Sequence, residues 1–358
     1  MNTEVVKISA GNLDEIEQEQ ILRRAGTVLR EGGLVAFPTE TVYGLGGDAL
    51  NRESSGKIYR AKGRPSDNPL IVHIADMEAL PFIVEKVTPE AVKIAEAFWP
   101  GPLTMILTKS DKVPLETTGG LDTVAVRMPS HPIARKLIEY GGGYVAAPSA
   151  NVSGKPSPTL AKYVVEDMDG RIEMILDGGE VGIGLESTII DLTVSPPQIL
   201  RPGYITRSML EQVLGQVQTD KTILSNESGL APRAPGMKYR HYAPKGELTI
   251  VSGKPGEVVD YVNEQTRIFR EQGKKVGIIA SGENLELYQA DVVKNIGSRQ
   301  EESEIARNLY RILREFDDEE VEVIFSEEFY SEGMGQAIMN RLLKAAAHKI
   351  VTVESSKS

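Results

Sequence analysis

The sequence predicts an α/β protein in two parts, and three features carry that prediction. Short apolar runs of strand length alternate with helical stripes from the N-terminus onward. The pattern lapses over residues 216–246, where prolines accumulate and no periodicity holds. It restarts at Glu247, where LTIV, KVGIIA and VEVIF are continuous apolar runs of the kind buried on both faces of a parallel sheet. The expected domains are therefore residues 1–215, a connecting segment over 216–246, and a smaller doubly wound parallel-sheet domain over 247–358.

Taken in order, residues 12–33 read as a helix. Asn12 and Glu15 are spaced as a cap and its third-position carboxylate, an apolar stripe runs from Ile21 to Leu29, and Gly32-Gly33 ends it. Leu34–Phe37 is a buried strand that gives way at Pro38 to a polar, glycine-rich turn, PTETVYGLGGDAL. A helix over 53–62 stops at Gly63, with Pro65 just beyond. Leu70–Ile74 is the next strand. The loop before it holds Lys62, Arg64, Ser66 and Asn68; these cations suit either a ligand or the negative end of the helix dipole.

A helix near Pro89–Phe98 leads to WPGPLTMIL, whose tryptophan reads as a packed corner. Strands follow at Thr123–Arg127, Tyr144–Ala147, Ile172–Leu176, Ser187–Leu192 and Ile199–Arg201, then a helix at Thr206–Leu214. Several of these strands finish in Ser, Arg or Gly, which points to a pocket at one edge of the sheet. In the connecting segment, Lys238, Tyr239, Arg240, His241 and Tyr242 put cations beside aromatic rings. That mixture suits a lid over a nucleotide, or a basic strap on an acidic surface. The second domain places helices near 257–272, 303–316 and 336–347 between its strands.

Composition removes whole classes of chemistry. The 358 residues include no cysteine, which excludes disulfides, thiolate nucleophiles and zinc–thiolate sites. The four histidines form no HxH or HExxH pair, so no metal site from protein side chains is expected. Three Ser-Gly-Lys triplets all miss GxxxxGK[ST], and no GxSxG occurs. A net charge of −11 argues against a long nucleic-acid track. No apolar run is long enough to span a membrane and no signal peptide is evident, so a cytoplasmic location is expected. What remains is a cationic, hydroxyl-rich site around Arg64, Arg127 and Arg201. Such a site works by holding ligands and stabilising anionic charge.

PTETVYGLG, KGR with DNPLIVHI, WPGPLT, AVRMP, APSAN, GLESTIID and LRPG occur in that order over roughly the first 205 residues. Together they resemble the YrdC-like domain of L-threonylcarbamoyladenylate synthases. APGMKYRHYAP and the C-terminal domain resemble the long form of that family. The resemblance implies a twisted mixed open sheet around a deep cavity, followed by a linker lid and a Rossmann-like domain. It implies condensation of L-threonine, bicarbonate or carbon dioxide, and ATP with Mg2+, to threonylcarbamoyl-AMP and pyrophosphate for tRNA modification beside the anticodon. By matching motif, Thr41, His73, Arg127, Ala147 and Ser187 would hold threonine. Lys62 and Arg64 would act at the phosphates, and Arg64, Asn68, Thr123, Ser149, Ser157, Arg201, Tyr239 and Tyr242 would hold ATP. Downstream tRNA threonylcarbamoyl transferase proteins would be partners, with weak or no direct tRNA binding. The competing expectation is an RNA-binding module without catalysis of its own.

Overall fold

The computed structural model describes residues 2–13, 15–220, 223, 242–329 and 332–353. Contacts divide them into two units, residues 2–153 with 157–223 and residues 154–156 with 242–353.

The first unit opens with β1 (Glu4–Lys7), α1 (Ile16–Arg30), β2 (Val35–Phe37), β3 (Gly44–Asp48) and α2 (Arg52–Lys62). It continues through β4 (Ile71–His73), α3 (Leu80–Ile83), α4 (Pro89–Phe98), β5 (Leu103–Thr108), α5 (Leu115–Thr118) and β6 (Thr123–Arg127). Then come α6 (Pro132–Tyr140), β7 (Val145–Ala146), α7 (Ala161–Met168), β8 (Met174–Asp177), β9 (Thr188–Asp191), β10 (Gln198–Arg201), α8 (Arg207–Leu214) and β11 (Gln218–Thr219). The eleven strands form one mixed sheet, ordered β1-β8-β2-β3-β7-β4-β6-β5-β9-β10-β11.

Strand alternation sorts the core onto two faces. Leu34, Ala36, Ile175 and Ala146 point into a cluster with Ile58 of α2, Ile94 of α4 and Val164 of α7. Val35, Phe37, Met174, Leu176 and Val145 point the other way, onto Leu22 and Leu29 of α1 and Ile133 and Leu137 of α6. The strands beyond β7 carry a separate apolar patch of Ile71, Ile106, Ala125, Ile189 and Leu200.

Local chemistry sets most helix boundaries. Asn51 accepts from the Glu53 amide to start α2, and Gly63, at φ 62°, ends it in the left-handed conformation. Thr88 caps α4 through the Ala91 amide, with Pro89 in its first turn. The N-terminal helix differs from the expected 12–33: residues 10–12 form a 3-10 turn and Glu15 precedes the first α-helical residue. Asn12 holds Glu15 through its backbone carbonyl, so no side-chain capping box forms. The glycine-rich segment read as a turn is in part β3, paired antiparallel with β2. A Cβ on Gly46 would sit 2.9 Å from both Phe37 and Val145, so only glycine lets those side chains close over the strand. Trp99 is buried, with its indole N–H on the Leu103 carbonyl.

The second unit contains β12 (Glu247–Ser252), α9 (Pro255–Glu271), β13 (Val276–Ser281), β14 (Val292–Gly297), α10 (Glu302–Asp318), β15 (Val323–Glu327), α11 (Gly335–Ala345) and β16 (Ile350–Thr352). Its five strands are all parallel, in the order β14-β13-β15-β12-β16. The connection through α9 runs one way along the sheet, and those through α10 and α11 run back. Right-handed crossovers therefore place α9 on one face and the other two on the opposite face. This is the doubly wound arrangement expected. No helix among the described residues is long and apolar enough to cross a membrane.

Candidate active site

The candidate residues grow out of one row on the sheet. Thr123, Ala125 and Arg127 are alternate residues of β6 and share a face. On β4, parallel to it, Ile71 lies beside Ala125 and His73 beside Arg127. On β5, Thr108, Ile106 and Thr104 pair with Thr123, Ala125 and Arg127. Ile189 of β9 pairs with Thr104, which puts Ser187 and Ile189 on the same face. The floor is the apolar patch already described, and polar groups flank it. His73, Arg127 and Arg201 are the last residues of their strands, and the row also runs back along the face to Thr123, about 13 Å from Arg127.

Arg201 reaches this face through an irregularity. The register of β10 shifts between Ile199 and Arg201, so Arg201 rather than Leu200 stands opposite Ile189. Its Nε then donates to the Ser187 carbonyl at 3.0 Å and its Nη2 to Ser187 Oγ at 3.1 Å. Ser187 Oγ also lies 2.8 Å from Thr104 Oγ1. Gly203 fits against the same segment so closely that a Cβ would fall 2.5 Å from the Thr188 amide nitrogen and 2.8 Å from the Glu186 carbonyl oxygen. Gly203→Ala is therefore expected to displace the Ser187 segment. A loss of about 1–3 kcal/mol in chemical denaturation, with a parallel fall in turnover, is the outcome to measure.

Arg127 is 4 % exposed. Its Nη1 donates to Thr41 Oγ1 at 2.9 Å, and Thr41 is held by Thr39 Oγ1 at the same distance. Its Nη2 lies 2.6 Å from Glu40 Oε1, an ion pair whose angle does not qualify as a hydrogen bond. The Nε and Nη2 of Arg127 and both oxygens of Glu40 are buried without any hydrogen-bond partner. With Nε making no hydrogen bond and Nη2 held only by the Glu40 ion pair, this buried fork has the donors to take an anion. His73 packs beside it, its Nδ1 3.1 Å from the Ile71 carbonyl. Burial first, then the Arg127 charge, lowers the His73 pKa to about 3. It is neutral at physiological pH and adds no second positive charge.

A second group gathers around the end of α2 and the segment after β7. Arg64 Nη2 donates to Asn68 Oδ1 at 2.6 Å and to the Pro69 carbonyl at 2.9 Å. Tyr59 Oη donates to the Asn68 carbonyl at 3.2 Å and the Glu116 carbonyl at 3.1 Å, which pins the loop. Lys62 is 2 % exposed, and its ammonium donates to the Ser149 and Asn151 carbonyls at 2.5 and 2.6 Å. As placed, it braces the turn that carries Ser149. Ser149 itself bridges to Gly44, and the Ala147 amide donates to the Ile71 carbonyl. Ser157 donates to Glu186 Oε1 at 2.6 Å, and both residues are buried.

Two expected residues are not among those of the first unit just described. Tyr239 lies outside the described residues, as do its neighbours over 224–241. Tyr242, read as a nucleotide contact, is instead a core residue of the second unit. It is 5 % exposed, its ring centroid is 5.0 Å from that of Tyr310, and Arg341 stands over it. Glu40 was not anticipated. The only signal was a carboxylate between Thr39 and Thr41 at the end of an apolar strand.

Two family models match this chain. One, described as telomere recombination, covers residues 27–203, and one described as the C-terminal domain of threonylcarbamoyl-AMP synthase covers residues 205–347. A threonylcarbamoyl-AMP synthase of Pyrococcus abyssi is 51 % identical over 96 % of this chain and 98 % of its own. That of Bacillus subtilis is 46 % identical over 92 % and 94 %. Among solved structures, P. abyssi Sua5 complexed with L-threonine superposes with a TM-score of 0.92 at 49 % identity, covering 98 % of this chain and 100 % of that one.

Proposed function

The chain belongs to the threonylcarbamoyl-AMP synthase family in its two-domain form, and from that premise we propose how its site runs the reaction. L-Threonine, bicarbonate or carbon dioxide, and ATP are joined to threonylcarbamoyl-AMP, with release of pyrophosphate. The product serves the threonylcarbamoyladenosine modification of tRNA. The observation that carries the threonine assignment is the buried Arg127 fork, whose Nε makes no hydrogen bond and whose Nη2 is held only by the Glu40 ion pair.

Threonine's carboxylate takes the Arg127 fork, with Thr41, neutral His73, Ser187 and the Ala147 backbone around it. The triphosphate lies toward Lys62, Arg64, Asn68, Thr123, Ser149, Ser157 and Arg201, and magnesium arrives with it. The amine becomes a carbamate, whose oxygen attacks the α-phosphorus in line with departing pyrophosphate. The nucleophile comes from the substrates, so a chain without cysteine or a serine triad needs only alignment and charge stabilisation.

Pyrophosphate release from ATP in bicarbonate buffer is expected to appear only when L-threonine is added to the purified chain. Release at the same rate without threonine would remove the assignment.

A further inference from the structure

Glu40 is a carboxylate of the site to which no role has been given. Its side chain is 13 % exposed, and neither oxygen has a hydrogen-bond partner although Arg127 Nη2 is 2.6 Å away. Thr41, next in sequence, is fixed by Arg127 and Thr39, which holds the backbone bearing Glu40 beside the guanidinium. His131, at the entry to α6, faces Glu40 with a buried Nδ1 that likewise has no partner. His73 lies beside Arg127 on the neighbouring strand. Among these groups Glu40 is the only anion.

We infer that Glu40 is the seat of the substrate's amino group: it neutralises Arg127 in the empty site, receives the ammonium when the substrate carboxylate takes the fork, and accepts a proton as the carbamate forms. The inference rests on the threonine reading above and adds a residue to it. In an α-amino acid the nitrogen is two bonds from the carboxylate carbon. A carboxylate seated on Arg127 thus puts its ammonium beside the carboxylate that now pairs with that arginine.

Charge bookkeeping favours the exchange. One buried pair, Arg127 with Glu40, becomes two, guanidinium with carboxylate and Glu40 with ammonium. No net charge is added to a desolvated site. An acid lacking the amino group would bring a negative charge that nothing new offsets.

The same balance holds through the chemical step. Glu40 takes one proton from the ammonium, and the freed nitrogen lone pair bonds to the bicarbonate carbon as the carbon–hydroxyl bond breaks. Of the ammonium's three protons, one stays on nitrogen, one leaves with the hydroxide as water, and one passes to Glu40. Glu40 is neutralised as the carbamate's negative charge appears, so the anion is not repelled on its way to the phosphorus.

The test is Glu40→Gln, read by threonine-dependent pyrophosphate release between about pH 7 and about pH 10, with wild type alongside. At neutral pH the variant is expected to lose about 10- to 100-fold in kcat/KM for threonine. The deficit should shrink as pH rises and the free amine replaces the ammonium. An equal deficit at every pH, or none at neutral pH, overturns the inference, because a residue that only braces Arg127 has no reason to follow the amine's titration. His131→Gln is expected to leave the profile's shape unchanged; if it alone alters that shape, the proton goes to His131 and the inference falls.

A binding measurement covers the case of a variant that folds poorly. In calorimetry on the wild type, 2,3-dihydroxybutanoate, which carries a hydroxyl in place of the amino group, is expected to bind at least about 10-fold more weakly than threonine. Equal binding of the two overturns the inference. Wild type inactive with threonine would instead sink the functional reading itself, so the two failures are distinguishable.

Discussion

Replacing Arg127 by lysine is expected to lower kcat/KM for threonine by about 100-fold or more while leaving the KM for ATP nearly unchanged. The lysine keeps the charge opposite Glu40, so the fold survives. It loses the planar fork, and with it Nε, which makes no hydrogen bond, and Nη2, which meets only the Glu40 carboxylate as an ion pair. Arg127→Ala is a harsher change. It leaves Glu40 buried without a countercharge and takes the donor from Thr41, at a cost of about 3–5 kcal/mol. Initial rates against threonine concentration, at saturating ATP, read the first variant, and thermal unfolding reads the second. A lysine variant with wild-type dependence on threonine would show that the carboxylate sits elsewhere.

Arg64→Ala is expected to cost about 100- to 1,000-fold in nucleotide turnover with the fold retained. Arg64 is partly exposed and follows the end of α2, and it hydrogen-bonds to the neighbouring Asn68 and Pro69. The loop keeps its other ties, Tyr59 to the Asn68 carbonyl and the Leu70 amide to the Thr117 carbonyl, so unfolding should shift by less than about 1 kcal/mol. Pyrophosphate release against ATP concentration measures the effect. An unchanged rate would mean that the phosphates lie away from this loop.

Local signals made much of the fold legible. The α2 and α4 segments were readable because Asn51, Gly63 and Thr88 with Pro89 act within one turn of the boundary they set. The parallel second domain was readable because its strands are uniformly apolar. β3 was obscured because Gly44 and Gly46 serve the packing of Phe37 and Val145 and Gly47 that of Leu34 and Ile58, and a sequence shows the glycines without what lies over them. α6 escaped despite its amphipathic pattern, between Pro132 and the Gly141–Gly143 run. At the site, residue types and motifs marked the cations, but their partners were hidden by distance along the chain. Glu40 meets Arg127 from 87 positions away, and Arg201 meets Ser187 only because β10 slips its register.

The alternation of β6 has a consequence for how selectivity is built. Thr123 and Arg127 project from one rigid strand in the middle of a wide sheet, with the small Ala125 between them. On the proposed assignment, the interval between the nucleotide side and the amino-acid side is therefore a ruler graduated by backbone pitch rather than by any loop. A compound too long or too short for two graduations would be mis-set at the reacting atoms however well either end was held. Surface connections can lengthen or change in sequence without altering that interval.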